Sequence, residues 1–471
     1  MEKLNNLINH KYSKLVLTII GFICYLISAY ANCACNYVMY TLYGIVIYIM
    51  LLASKDTTNA LFFSFLEAFT VCKVRFDNGY AQMFSWFVPI IFLIAGIITN
   101  QIIYKPKLKV GKFTIGLSIY FLGVALGGMF SQTTDAYTTY FYKWWFTPIF
   151  VIAFATIMYG IIFFQSTQEG SIDKLANDSL YLTGLIILEL LFFMISNKYS
   201  PLYCIKNKCV DLGWGIHNAV GMIILTSMPL SIWKAFKDLK KYWYYLLLYV
   251  LQFGILIFLV CKGGLLAAVV GTLVLVGGLI YFYKNLRKPI IITLITCIIL
   301  GVIFLSVSIA TNSGFAEHLN LNTLFSRTWI WESAMNVFKS NIFFGIGLVG
   351  PAGWNVSVTF PAYQYCHNTF VESLTVTGIF GFICLLYHLV EKYTRLIYKM
   401  DFKKFIFMLF FLYPGIYGMI DNSYLEITYM LYFVYGIILF ESELKCDPQI
   451  KWLLHFKEKN EELENANLAN N

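Results

Sequence analysis

The sequence predicts an all-α protein that crosses a membrane many times, and three observations lead to this fold class. Hydrophobic residues make up 59% of the 471 residues and charged residues only 13%, whereas charged residues make up about 25% of a typical soluble domain. Apolar runs of about 18 to 21 residues recur along the chain, and each is long enough to cross roughly 30 Å of hydrocarbon as a helix. The alternation typical of membrane β-strands is absent, so the runs are expected to satisfy their backbone groups as helices.

About fourteen spans are predicted from these runs. They lie near residues 14–31, 37–53, 57–71, 82–101, 113–130, 144–165, 179–196, 217–233, 243–260, 263–283, 290–310, 368–390, 404–420 and 424–441. The third is short, and an interfacial position is the alternative to a full crossing. Residues 1–441 are therefore interpreted as one membrane domain, followed by a tail, 442–471, that is predicted to be cytoplasmic and either a frayed helix or disordered.

The distribution of positive charge predicts the orientation. With the N-terminus in the cytoplasm and sides alternating, about 25 of the 34 Lys and Arg residues fall on the cytoplasmic side and about 9 outside. This bias predicts cytoplasmic N- and C-termini in the cell (inner) membrane. It also explains the net charge of +9, so a nucleic-acid partner need not be invoked.

The longest predicted outer loop covers residues 311–366, and loops of this length usually carry function. Part of it has the pattern of an amphipathic helix, because Trp331, Ala334, Met335 and Phe338 fall on one face. This helix is expected to lie along the membrane surface.

The eleven cysteines do not follow a metal-ligand spacing, and no metal or cofactor is predicted. Cys204 and Cys209 share a predicted outer loop. They are candidates for a disulfide if that side is oxidising, and two free thiols are the alternative.

Four ionisable residues on the predicted outer side have unusual settings. Lys262 occupies a tight turn between two apolar spans, where it either lines a wet cavity or snorkels to the interface. Arg327 precedes Trp331 by one helical turn, which also suits a headgroup contact or a cation–π pair. His367 begins a span, and histidine is the side chain that most readily exchanges a proton near neutral pH; a helix-terminus histidine without chemistry is the alternative. Glu372 lies inside the same span and is a candidate to orient His367 or balance a cation, or to serve a structural role.

Together these residues form a pattern that resembles the O-antigen ligase and O-antigen polymerase family over about residues 200–390. The resemblance rests on residues in the family's order and spacing: Arg327, Trp331, Gly345-Ile346-Gly347, His367-Asn368, Leu374, Gly378-Ile379 and Gly381. Two weaker blocks precede them, Gly213 to Gly221 and Lys262 to Ala267. The chain departs from the family at Lys262, where arginine is usual, and lysine loses bidentate phosphate binding.

The resemblance implies glycosyl transfer at the outer face of the membrane without a metal. The implied donor is a glycan on undecaprenyl pyrophosphate, held in the membrane lipid. The implied acceptor is either a second lipid-linked unit, as in a polymerase of a surface or capsular polysaccharide, or lipid A core, as in a ligase. A chain-length regulator or another assembly protein is a further partner that the resemblance allows.

The same resemblance suggests roles for individual residues. Arg327 and Lys262, with Lys208 as a further candidate, are expected to bind the pyrophosphate and to stabilise its charge as it leaves. His367 is the proposed general base. Glu372, Asn368 and Trp331 are candidates for supporting these groups.

Two other function classes remain open at this stage. A flippase for lipid-linked oligosaccharides is expected to keep its working charges in a central cavity, whereas here they concentrate at one face. In a non-catalytic assembly protein the pattern would be coincidental. Of the two glycan-joining reactions, the polymerase is preferred to the ligase.

Overall fold

The computed structural model describes residues 2–10, 12–30, 33–70, 79–105, 112–129, 170–310, 327–345, 366–421, 423 and 427–446. Within these ranges the chain is helical, and the only extended pairing is an isolated bridge between Asp211 and Ile216. The predicted span near 144–165 and most of the predicted tail lie outside the described residues.

The α-helices of the described ranges are numbered here in chain order. They are α1 Glu2–Ile8, α2 Ser13–Tyr30, α3 Cys33–Ala53, α4 Thr58–Glu67, α5 Gly79–Tyr104, α6 Lys112–Met129, α7 Ser171–Asn197, α8 Pro201–Asn207, α9 His217–Lys237, α10 Leu239–Tyr242, α11 Tyr244–Phe258, α12 Lys262–Phe282, α13 Arg287–Ala310, α14 Thr328–Ser340, α15 Thr369–Ile397, α16 Phe402–Tyr417 and α17 Ile427–Cys446.

These helices confirm the predicted all-α, multi-span class. Six of them are long and apolar enough to cross a membrane, and two shorter apolar helices cover Val88–Tyr104 and Tyr244–Phe258. Large apolar side chains point outward along their length, for example Ile102, which is 67% exposed, and Val250, which is 65% exposed. Such surfaces suit acyl chains rather than water. The total of fourteen spans remains a prediction.

Helices α3 and α5 show how the chain returns through the short third segment. Asn100 donates to the carbonyl of Leu51 at 2.6 Å, and Tyr104 donates to the carbonyl of Leu52 at 3.2 Å. Near the middle of both helices, Gly44 lies against Phe92. Both helices therefore run in the same direction, and the start of α5 lies at the opposite end from the end of α3. Helix α4 covers only part of that distance.

Helix α9 is the centre of the bundle, and most of its side chains are buried. It packs against α7, α11 and α16. At the predicted cytoplasmic side of the bundle, ion pairs connect the ends of neighbouring helices. There Lys14 pairs with Asp178, which also accepts from the Tyr435 hydroxyl at 2.5 Å, and Lys237 pairs with Asp173 at 2.7 Å. The opposite end, where α9, α12 and α15 begin and α16 ends, is called the site end below.

Candidate functional site

The candidate site is built around the carboxylate of Asp421, four residues after the last residue of α16. His367 Nδ1 lies 2.8 Å from Asp421 Oδ1. Asp421 Oδ2 accepts from the Tyr417 hydroxyl at 3.0 Å and from Asn218 Nδ2 at 3.1 Å. An ionised carboxylate only accepts hydrogen bonds, so Nδ1 of His367 carries a hydrogen. A neutral ring then presents Nε2 as its proton acceptor.

His367 is held in an uncommon backbone conformation, with φ at 50°. Left-handed residues other than glycine are rare and persist only where their neighbours fix them. The fixing residue is Asn368, whose side chain caps α15 by accepting from the N–H groups of Phe370 at 3.0 Å and Val371 at 3.1 Å. Its Nδ2 also donates to the carbonyl of Met419 at 2.9 Å. The predicted His-Asn pair is therefore a helix cap that presents a histidine.

Glu372 and Trp331 hold the residue that precedes His367. The carboxylate of Glu372 accepts from the backbone N–H of Cys366 at 2.5 Å, and the indole N–H of Trp331 donates to the carbonyl of Cys366 at 2.8 Å. Both side chains therefore support the backbone of the His367 loop. In this structure the carboxylate that hydrogen-bonds the imidazole belongs to Asp421, and Glu372, the candidate chosen from the sequence, binds the neighbouring backbone.

Arg327 lies immediately before α14 and reaches the end of α16. Its Nη1 donates to the carbonyl of Ile420, the residue next to Asp421. The guanidinium and the His367–Asp421 pair are therefore anchored to the same short turn, which covers residues 418–421. The structure brings together the two residues on which the sequence-based proposal most depends.

Lys208 and Lys262 complete a group of three cations with Arg327, called the cation cluster below. Lys262 is the first residue of α12 and lies within electrostatic reach of Lys208 and Arg327. Burial lowers the pKa of Lys208, and the charge of Arg327 lowers it further, whereas Asp421 acts in the opposite direction. The cations repel one another, so an anion bound between them would relieve that repulsion.

Helix α15 is broken at Gly378, where φ is 65° and ψ is −167°. The break frees two backbone N–H groups that need acceptors in an apolar environment. The turn after α14 supplies them: Ile379 N–H donates to the carbonyl of Ile342 at 2.8 Å, and Phe380 N–H donates to the carbonyl of Phe343 at 3.2 Å.

The two glycine motifs of the sequence meet at this break. Gly345 has φ of 66°, and a Cβ added to it would lie 2.5 Å from the carbonyl carbon of Val376; a Cβ on Gly378 would overlap the carbonyl of Phe343. We call this backbone contact the glycine joint. Since Trp331 binds Cys366 at the other end, α14 and the outer part of α15 run side by side as one unit. Arg327 and His367 both lie at the end of this unit nearest Asp421.

The apolar face of the predicted amphipathic helix, α14, is partly covered by α15. Ile330 and Ala334 of α14 are buried, with Trp331 and Val337 packed beside them. The hydroxyl of Thr375 on α15 donates to the carbonyl of Ala334 at 3.4 Å. The apolar face of α14 therefore packs against the outer part of α15, and its position relative to the membrane surface stays a prediction.

Asp421, Tyr417 and Asn218 are site residues that the sequence-based reasoning missed. Asp421 is an acid at the predicted outer end of the span near 404–420. Its position at the predicted outer face of the membrane, where His367 is also predicted to lie, was the signal that could have identified it. His217, which the sequence left without a role, lies within electrostatic reach of Lys208 and Asp421.

Some predicted features are not part of the described site. Ile346 and Gly347 of the Gly-x-Gly motif lie outside the described residues. Among the described residues, three or more His, Cys, Asp or Glu side chains do not come together in a way that would hold a metal ion.

A family model matches part of the chain. Residues 247–386 match the model described as O-antigen ligase. The matched segment contains Lys262, Arg327 and His367, while Lys208 precedes it and Asp421 follows it. No curated protein matches the chain.

Proposed function

We propose that this protein joins glycan units carried on a polyprenyl diphosphate, with Arg327 and His367 as its central catalytic residues. The match of residues 247–386 to the O-antigen ligase model supports this proposal. The observation that carries this proposal is the anchoring of both residues to the turn that ends in Asp421. The proposed reaction takes place at the outer face of the membrane. The acceptor is a second lipid-linked unit, which makes the protein a polymerase of a surface polysaccharide.

The cation cluster suits the leaving group of this reaction. The bond between the sugar and the diphosphate breaks, and negative charge grows on the diphosphate oxygens. Cations that are already in place stabilise that charge most strongly in the transition state. Arg327 is fixed by the carbonyl of Ile420, so little reorganisation is needed. Lys208 and Lys262 add charge from two other elements of the bundle.

The His367–Asp421 pair suits activation of the acceptor. The acceptor hydroxyl attacks the sugar carbon and passes its proton to Nε2 of His367. Asp421 holds the other ring nitrogen in its protonated form and stabilises the imidazolium that results, a division of labour also found in hydrolytic triads. The side chain of His367 is 26% exposed, so a hydroxyl group can approach it. The products are a new glycosidic bond and a free polyprenyl diphosphate.

Incubation of the purified protein with lipid-linked repeat units alone tests the polymerase assignment. A ladder of longer lipid-linked glycans is the expected product. Product formed only after addition of lipid A core would instead favour a ligase. Movement of the intact donor across the membrane of vesicles that contain the protein, without any new glycosidic bond, would favour a flippase and contradict the proposal.

Asp421→Asn is expected to lower kcat by about 10²-fold while changing KM for the donor little, because general-base steps contribute roughly 10²- to 10⁴-fold. The amide retains the volume of the side chain but no longer favours the required imidazole tautomer. Initial rates of polymer formation at several donor concentrations measure both constants. Asp401→Asn is the matched control, since Asp401 caps α16 at the opposite end of the bundle. An unchanged kcat in Asp421→Asn would remove Asp421 from the mechanism.

A further inference from the structure

Helix α8 ends in a turn that brings two cysteines together. Lys208, the residue after the helix, has φ of 49°. A left-handed residue at this position reverses the chain, and the side chain that follows it then packs against the last helical turn. Here that side chain is Cys209, which lies within electrostatic reach of Cys204, and both cysteines are free thiols in this structure.

The two cysteines differ in access and share one environment. Cys204 is fully buried, and Cys209 is half-buried against the same apolar core. Both lie on the segment that precedes α9 at the site end, and Lys208 of the cation cluster lies between them in the sequence. A covalent bond here would fix the turn that presents this lysine.

We propose that Cys204 and Cys209 are oxidised to a disulfide that locks the Lys208 turn beside the site. The thiolate of the more accessible Cys209 attacks the disulfide of an oxidising thiol–disulfide exchange protein and forms a mixed disulfide. The thiol of Cys204 loses its proton and displaces the exchange protein. Two electrons pass to that protein, which leaves as a dithiol. The contribution of the bond to activity rests on the proposed function, but the bond itself does not.

Tryptic mapping of the full-length protein tests the bond directly. Cells are treated with an alkylating reagent before lysis, and the protein is purified without reductant. Trypsin cuts after Lys206 and Lys208, between the two cysteines, so a disulfide would hold the peptides of Cys204 and Cys209 together until reductant is added. A joined, unalkylated pair is the expected result. Separate peptides with both thiols alkylated, or Cys209 joined to another cysteine, would overturn the proposal.

A second measurement tests the effect on the site. Reductant is expected to raise KM for the lipid-linked donor several-fold in the native protein, with kcat little changed. The double variant C204S/C209S should show the raised KM with and without reductant. A native KM that does not respond to reductant would overturn the role of the bond in holding Lys208. Absence of glycan joining in every sample, with the joined peptides still present, would instead count against the proposed function alone.

Discussion

His367→Ala and Arg327→Ala are each expected to lower the rate of glycan joining by at least about 10²-fold, in line with the loss of a general base or of a preorganised charge donor. His367→Ala removes the nitrogen that accepts the hydroxyl proton. Arg327→Ala removes a cation that is anchored beside it through the carbonyl of Ile420. Polymer yield and chain-length distribution on gels, together with initial rates from purified protein, measure the loss.

The controls for these variants lie elsewhere in the same chain. His10 is exposed near the start of the chain, and Arg287 donates to the carbonyl of Ile280 at the end of α12 opposite the site. His10→Ala and Arg287→Ala should retain the native rate. Equal amounts of all four variants in the membrane show that insertion is unaffected. Normal polymer yield in both His367→Ala and Arg327→Ala would remove the catalytic assignment.

Much of the fold could be predicted because lipid leaves few choices for the backbone. Long apolar runs that must satisfy their own hydrogen bonds become helices, and the described helices follow those runs closely. Helix α4 was harder to interpret, since ten residues are too few to cross about 30 Å of hydrocarbon. The parallel packing of α3 and α5 supports a return of the chain between them, which the length of α4 alone does not predict.

The site was predictable where it follows from local pattern and was missed where it depends on tertiary packing. Arg327 and His367 stand out through their neighbours in sequence. Asp421 lies 54 residues from His367 and has no motif around it, so only the packing of α15 against α16 reveals the pair. The orientation of α14 was also ambiguous, because an apolar face looks the same whether it meets lipid or a neighbouring helix.

Gly378→Ala is expected to cost about 1–3 kcal/mol of stability, because its backbone conformation is essentially restricted to glycine, and to lower kcat in addition. An added Cβ would overlap the carbonyl of Phe343, so the turn after α14 must move away. The N–H groups of Ile379 and Phe380 would then lose their acceptors. The thermal midpoint of the purified protein and the rate of polymer formation at saturating donor measure the two effects.

Gly345→Ala should act in the same way, since the two glycines meet at one contact. Gly277→Ala and Gly184→Ala are matched controls, because a Cβ at either position meets no atom within 4 Å. Alanine in a helix interior is favoured over glycine by up to about 1 kcal/mol, so the controls should be neutral or more stable. A Gly378→Ala protein with native stability and a native rate of polymer formation would show that the glycine joint does not position Arg327 and His367. If the Gly378→Ala protein is less stable but keeps the native kcat at temperatures below its thermal midpoint, the glycine joint stabilises the fold without contributing to catalysis.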